Sequence, residues 1–188
     1  MSETTLHPPR NTFPDDAELD AAAESLTGLT LSAAADTAWA SLTALAEGDR
    51  SDKTIHHRAV VLLALQVKPI RDWLLVQAVD HDNLSLACVR ELVWLIAKAP
   101  QPLQAAAAGA TAMLLIAVTG SAPAARFHAD LGGTDTLAQL VGLIIESELP
   151  GEKVRQMLRE AKPVVHKVLE DASQATLPAA VVARGAGE

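Results

Sequence analysis

The sequence predicts an all-α fold of about eight to nine helices, arranged as stacked antiparallel hairpins, like an α-solenoid, or as a helical bundle. Strand-forming residues are scarce, because aromatic residues are only 3% of the chain and tyrosine is absent. Apolar residues recur at helical spacing between proline and glycine breaks. The segment from about Leu103 to Thr119 is apolar on every side of a helix, so it must be buried. We therefore expect the other helices to surround this alanine-rich helix.

One domain accounts for most of the chain. Residues 1–12 contain two prolines and little apolar material, so we expect a flexible arm there. We expect a single all-α domain over residues 13–173, since 188 residues with 49% hydrophobic content suffice for one core. Residues 174–188 are small and apolar, and we expect a frayed tail.

The first three helices are delimited by turn and cap residues. The first is predicted to begin at Pro14 and to end at Gly28. Ser32 is the expected cap of the second helix, and Ser51 that of the third. The third helix contains the run AVVLLAL at residues 59–65, which is too continuously apolar for a surface helix. We expect it to pack beside the central helix.

The fourth to sixth helices follow from proline breaks. Pro69 is expected to start the fourth, and Asn83 to cap the fifth after the polar turn at residues 80–83. The sixth is the central helix, which at roughly 25 Å is shorter than the roughly 30 Å hydrocarbon core of a bilayer. We therefore expect protein, and no membrane, around it. One stripe along this helix consists mostly of small residues and would let another helix approach closely. Its members are Ala105, Gly109, Ala112 and Ile116.

The last three helices are separated by glycine and proline. Gly132 and Gly133 are expected to end a short seventh helix, and Thr134 to cap the eighth. Pro150 is expected to open the last helix. Pro163 is expected to kink that helix or to divide it in two.

Charge and cysteine content limit the classes of function. The formal net charge is −8, and residues 1–52 hold ten acids against two bases, whereas residues 53–188 hold thirteen of each. Repulsion from phosphates therefore opposes nonspecific nucleic-acid binding by the N-terminal quarter. Cys88, the one cysteine, cannot form an internal disulfide. The N-terminal residues lack the pattern of a secretory signal, so we expect a cytoplasmic location.

A family resemblance covers about residues 70–157. It rests on IRDWLL at 70–75, LVWLIAKAP at 92–100, the alanine-rich helix ending in Gly120, and AARFHADL at 124–131 leading into LAQLVGLI. These segments resemble the C-terminal helical part of domain of unknown function family 4192, and the spacing is similar to that of tetratricopeptide-like hairpins. The resemblance implies a fold of helical pairs and assigns no catalytic residue.

Motifs of catalysis and cofactor binding are missing from the sequence. The six histidines lack the partner spacing of a metal site, and no serine lies in a G-x-S-x-G motif. The glycine-containing segments lack the pattern of a nucleotide loop. Arg71, Asp72 and Trp73 are expected to make a structural contact, with Trp73 in the core. We therefore expect no catalytic residue, no metal and no cofactor.

One charged surface pattern stands out on the last helix. Four basic residues recur at i+4, i+3 and i+4 opposite an apolar row, and we call them the basic ridge: Arg155, Arg159, Lys162 and His166. The ridge is interpreted in three ways: as solvated charge, as a surface for an external acidic or nucleic-acid partner, or as a surface that docks onto the first helix, within one chain or between two. The acids of that helix are Asp15, Asp16, Glu18 and Asp20.

The sequence favours a non-enzymatic helical scaffold, a protein-interaction or regulatory module that binds a protein partner or self-associates as a homodimer. Many packed helices without an assembled reactive group motivate this hypothesis. One alternative is an acidic mimic of nucleic acid or a regulator that acts through the N-terminal acidic segment. The other is a small-molecule-binding protein or enzyme with its site in a helical groove.

Overall fold

The computed structural model describes residues 12–49, 51–172 and 176–177, which form nine α-helices and no β-sheet. The predicted all-α fold is confirmed. Residues 1–11 of the predicted arm lie outside the described residues. The helices are α1 Asp16–Leu26, α2 Leu31–Ala46, α3 Thr54–Ala64, α4 Lys68–Asp80, α5 Asp82–Lys98, α6 Gln101–Thr119, α7 Ala122–Gly132, α8 Thr136–Glu146 and α9 Gly151–Asp171.

Helix α6 is the centre of the fold. Every residue from 107 to 117 is buried, which covers three turns on all sides. Helices α4, α5, α7, α8 and α9 pack against it. Among the described helices, α6 alone is long and apolar enough to cross a membrane. Its apolar surface is covered by protein, as the sequence predicted.

Neighbouring helices approach α6 closely where the chain has glycine. A Cβ added at Gly109 would lie 2.6 Å from the Asp135 carboxylate, and one added at Gly132 would lie 3.3 Å from the Ala105 carbonyl oxygen. At Gly151 it would lie 2.3 Å from the Ile116 carbonyl oxygen. The predicted small-residue stripe therefore contacts the end of α7 and the starts of α8 and α9.

Helix α3 differs from its expected placement. It is buried from Arg58 to Ala64, but it packs mainly against α1 and α2 and touches α6 only narrowly. A continuously apolar run indicates that a helix is surrounded, but it does not identify the surrounding helices.

Three predicted caps are wrong. Thr30, rather than Ser32, caps α2 by accepting a hydrogen bond from the Ala33 amide. Ser51 does not cap α3, whose N-cap residue is Lys53 and has no side-chain cap hydrogen bond. Asn83 lies inside α5, because the His81 carbonyl already accepts from the Leu84 and Ser85 amides and starts that helix earlier.

The predictions for the last two helices also need correction. Asp135, rather than Thr134, caps α8, because its carboxylate accepts from the Leu137 and Ala138 amides. Helix α9 is one helix through Pro163 and is not divided. Pro163 removes one hydrogen-bond donor from the helix, and α9 packs against α4 and α6.

Part of the predicted frayed tail is attached to the domain. Thr176 pairs with Thr30 in an isolated antiparallel bridge, and the Leu177 amide donates to the Leu29 carbonyl over 3.0 Å. The Leu177 side chain is buried. These two residues are therefore anchored beside the turn between α1 and α2, and the rest of the tail lies outside the described residues.

Candidate functional site

The basic ridge of α9 contacts the polar turn between α4 and α5. Arg155 and Arg159 each donate to the same Asp82 carboxylate oxygen at 2.6 Å. Lys162 pairs with Asp80, and this hydrogen bond lowers the pKa of Asp80 below its usual value. His166 lies against the Trp73 ring, with 5.7 Å between the ring centroids. Three cations of the ridge are thus paired within the chain.

The acidic side chains of α1 are not the partners of the ridge. Asp15 caps α1 by accepting from the Glu18 amide over 2.9 Å. Within the described part of the chain, Asp15, Asp16, Glu18 and Asp20 form no ion pair. Docking of the ridge onto α1 within one chain was the wrong interpretation, because the turn at Asp80 and Asp82 provides nearer carboxylates. The hypothesis of an acidic mimic stays a prediction.

Arg71 links α4 to the start of α8. Only 5% of Arg71 is exposed, and its guanidinium donates to Asp135 over 2.9 Å. The Asp135 carboxylate also caps α8. Asp72 lies 3.5 Å from the Arg71 guanidinium, and burial raises the pKa of Asp72 more than this cation lowers it. The structural role predicted for Arg71 and Asp72 is confirmed, and Trp73 is buried in the core as predicted.

A second buried cation lies on α3. Arg58 donates to the Thr12 carbonyl over 3.0 Å, and its guanidinium lies 4.0 Å from the centre of the Trp94 ring. Glu91 lies 3.9 Å away, and burial raises the pKa of Glu91. These contacts join α3, α5 and the segment that precedes α1, so Arg58 holds elements together.

Ser41, His57 and Asp49 meet in space, which the sequence spacing did not indicate. The Ser41 hydroxyl is 3.1 Å from His57 Nδ1, and Asp49 is 3.6 Å from His57 Nε2. In hydrolase triads the serine contacts Nε2 and the acid contacts Nδ1, so the nitrogens are exchanged here. Ser41 is only 4% exposed, and burial lowers the pKa of His57. This cluster therefore makes a structural link rather than an accessible nucleophile.

The described residues hold no group of three or more histidine, cysteine or acidic residues arranged for a metal ion. Cys88 is buried, and burial raises the pKa of its thiol to about 12. A thiol with so high a pKa is a poor nucleophile at neutral pH.

Helices α7 and α8 form a hairpin whose outer side is apolar. Phe127 is 62% exposed and Leu143 is 63% exposed, and Leu131 and Leu140 are exposed as well. Large apolar side chains grouped at one surface are typical of interaction sites. We call these four residues, with the groove between the two helices, the hairpin face.

The groove of the hairpin face has a volume of about 530 Å³. Small residues from both helices line it, namely Ala129, Gly133, Ala138 and Gly142. Its charged residues are Arg126, Asp130 and Glu146, and within the described residues these three make no ion pair. The groove can therefore receive apolar side chains between charges that have no ion-pair partner among the described residues.

A second group of exposed apolar residues lies on α9. Met157, Val164 and Val168 are exposed there. This stripe follows a single helix, whereas the hairpin face combines two helices with a groove between them. We therefore treat the hairpin face as the candidate functional site.

Comparisons with protein-family models, with curated proteins and with solved structures found no match for this chain. The resemblance to domain of unknown function family 4192 accordingly stays a prediction.

Proposed function

We propose that this chain is a non-enzymatic helical scaffold of the cytoplasm, a protein-interaction or regulatory module that binds a protein partner through the hairpin face. The observation that carries the proposal is the exposure of Leu143 at a groove floored by small residues, on a hairpin that also exposes Phe127. Exposing large apolar side chains to water is unfavourable, and a partner that covers them gains roughly 2 kcal/mol for each.

The way the hairpin is held supports this proposal. Helices α7 and α8 pack against each other and against α6. The ion pair between Arg71 and Asp135 fixes the turn that joins them. The hairpin is thus anchored on one side and open on the other, which presents a preformed groove to an apolar ridge or an amphipathic helix.

The chemistry of the described residues agrees with a binding role. Three groups of polar residues have a structural explanation, namely the buried Ser41, the Cys88 thiol with its raised pKa, and the paired cations of α9. A small-molecule site is the second candidate, because the volume of about 530 Å³ is in the range of ligand pockets.

Affinity capture with matched variants tests the proposed function. The tagged wild-type chain and the Leu143→Glu variant are incubated with lysate of the source organism, and the captured proteins are quantified. We expect Leu143→Glu to lose the specific partner, because a charge at the groove edge opposes apolar docking. The control is Ala21→Glu, which places the same side chain at an exposed position of α1. Equal capture by all three proteins would contradict the proposal.

Reversal of the basic ridge is a poor test of partner binding. Arg155, Arg159 and Lys162 hold α9 to Asp80 and Asp82, so changing them to glutamate would bring acids together and loosen α9. Failure of such a variant to capture the partner could then result from a loosened α9 rather than from the loss of a binding contact.

A further inference from the structure

Both acids of the groove lie in the last turns of their helices, where negative charge is unfavourable. Asp130 lies in the last turn of α7, and Glu146 is the last residue of α8. The C-terminal end of a helix carries a partial negative charge, which favours basic residues there and disfavours acids. Neither last turn contains a basic residue, and neither acid forms an ion pair among the described residues. The stability of the two helices therefore does not account for these acids.

The two acids lie at opposite ends of the groove. Helices α7 and α8 have 11 residues each and are joined by residues 133–135 alone, so they run antiparallel with their free ends level. Asp130 therefore lies near the joined end on the α7 side, and Glu146 lies at the free end on the α8 side. At the helical rise of roughly 1.5 Å per residue, about 12 Å separates them along the groove. Arg126 lies about midway between them, on the α7 side.

The backbone of the groove favours a helical occupant over an extended one. The peptide groups of α7 and α8 are hydrogen-bonded within each helix and offer no free sheet edge. An extended chain would therefore bury its own N–H and C=O groups against an apolar floor without partners, which is unfavourable. A helix satisfies these groups internally. Its apolar row can enter between α7 and α8 because the floor residues are small.

We propose that the partner of the hairpin face is an amphipathic helix with basic residues on both sides of its apolar row. The inference rests on the proposed function and names the chemistry of its partner. The apolar row lies in the groove against Leu143, and the cations meet Asp130 and Glu146. Residues nine apart on a helix are about 13 Å apart along its axis and lie on opposite sides. Two basic residues at this spacing match the two acids, and an acid between them can meet Arg126.

The charge of the hairpin distinguishes this partner from an acidic one. Residues 121–150 contain one base and four acids. One of these acids, Asp135, is paired with Arg71. Glu148, which follows α8 and is exposed, adds to the negative charge at the free end of the groove. An acidic helix or a nucleic acid would place like charges opposite these carboxylates, which is costly, whereas cations would balance the charge at each helix end.

Fluorescence anisotropy with two labelled peptides of about four helical turns tests the inference. The basic probe has leucines at i, i+4, i+7 and i+11, two lysines nine residues apart on either side of this row, and a glutamate four residues after the first lysine. The acidic probe has the same leucines with each charge reversed. We expect the 188-residue chain to bind the basic probe with a dissociation constant on the order of 10 to 100 μM, because the groove offers less than the roughly 800 Å² of a standard interface. Two exposed ion pairs should make the basic probe bind about fivefold more tightly than the acidic one.

Charge reversal in the groove should invert this preference. In the variant that combines Asp130→Lys and Glu146→Lys, the acidic probe should bind more tightly than the basic one. Lysine in the last turn of a helix is favourable, and both positions are exposed, so the variant should fold. The matched control combines Asp20→Lys and Glu24→Lys, which change the net charge equally at exposed positions of α1. This control should bind the basic probe as the wild type does.

A neutral variant keeps the test independent of the reversed charges. The combination of Asp130→Asn and Glu146→Gln should weaken the preference for the basic probe without inverting it. The inference is overturned if the wild type binds neither probe, binds both equally, or prefers the acidic one. It is also overturned if the neutral variant keeps the full preference of the wild type. Loss of the preference in the α1 control would overturn it as well, because the acidic N-terminal quarter would then be the binding surface.

These results distinguish the inference from the proposed function. If neither probe binds but affinity capture still finds a partner sensitive to Leu143→Glu, the inference fails and the proposed function stands. If neither probe binds and Leu143→Glu captures the same proteins as the wild type, both fail.

Discussion

Helix α9 and the α7–α8 hairpin both pack on α6, but they differ in what they leave to solvent. The basic ridge of α9 is bound to Asp80 and Asp82 across more than 70 residues of chain. The hairpin leaves Phe127 and Leu143 more than half exposed. A charged pattern that the sequence allowed as a binding surface is thus used within the protomer, whereas large apolar residues of the hairpin are open to a partner.

The largest expected effect concerns the ion pair that anchors the hairpin. Arg71→Met should lower the free energy of unfolding by about 3 kcal/mol, because Asp135 would lose the cation that balances its partly buried charge. Urea denaturation measures this difference. Arg126→Met is the control, since Arg126 is exposed on α7 and forms no ion pair among the described residues, and it should change stability by less than about 0.5 kcal/mol. Equal effects would refute the anchoring role.

Two glycine-to-alanine changes compare the two regions directly. Gly151→Ala, at the start of α9, should cost about 2 kcal/mol, because the new Cβ would lie 2.3 Å from the Ile116 carbonyl oxygen. Gly142→Ala should stabilise the monomer by about 1 kcal/mol, since its Cβ meets nothing and alanine favours helix. Thermal unfolding at low protein concentration gives both values. Destabilisation by Gly142→Ala would mean that the groove is closed.

The contact between α9 and the α4–α5 turn should show in a salt dependence. Asp82→Asn should lower stability by about 1 kcal/mol at low ionic strength, because Arg155 and Arg159 lose their shared carboxylate. The loss should shrink in about 1 M NaCl, where exposed ion pairs are screened. Asp20→Asn on α1, an exposed acid without an ion pair among the described residues, is the control. A loss that does not change with salt would argue against an electrostatic contact.

A smaller effect is expected from pH. Burial lowers the pKa of His128 in α7 below 6.5. This histidine therefore binds a proton less readily in the folded chain than in the unfolded chain. Its contribution to stability is therefore complete above pH 6.5 and declines as the pH falls below that value. His128→Gln should reduce the loss of stability between pH 7.5 and 5.5, measured by urea midpoints. The loss should not vanish, because burial also lowers the pKa of His57. An unchanged pH profile would contradict this assignment.

The sequence was sufficient to predict the fold class, because the residues that indicate a helix and its ends are close together in the chain. An apolar run without charge predicted the buried α6, and Gly133, with a φ of 56°, ends α7 where a glycine was expected. One of the failed cap assignments involves a long-range contact. Asp135 caps α8 while it also accepts from Arg71, a residue 64 positions away.

The candidate site was harder to predict, because it depends on contacts between residues that lie far apart in the chain. The basic ridge and the polar turn were each visible, but their pairing joins residues far apart in the chain. The exposure of Leu140 and Leu143 depends on which sides of α8 its neighbours leave uncovered, and periodicity does not supply that information.

Hydroxyl-radical footprinting of the chain, alone and bound to the partner that affinity capture retains, tests most directly which region is the interaction surface. It compares the reactivity of side chains that are all exposed in the protomer. We predict that Phe127, Leu140 and Leu143 become less reactive toward hydroxyl radicals as the complex forms, while the reactivity of Met157 on α9 does not change. Protection of Met157 with unchanged reactivity at Phe127 and Leu143 would contradict the account.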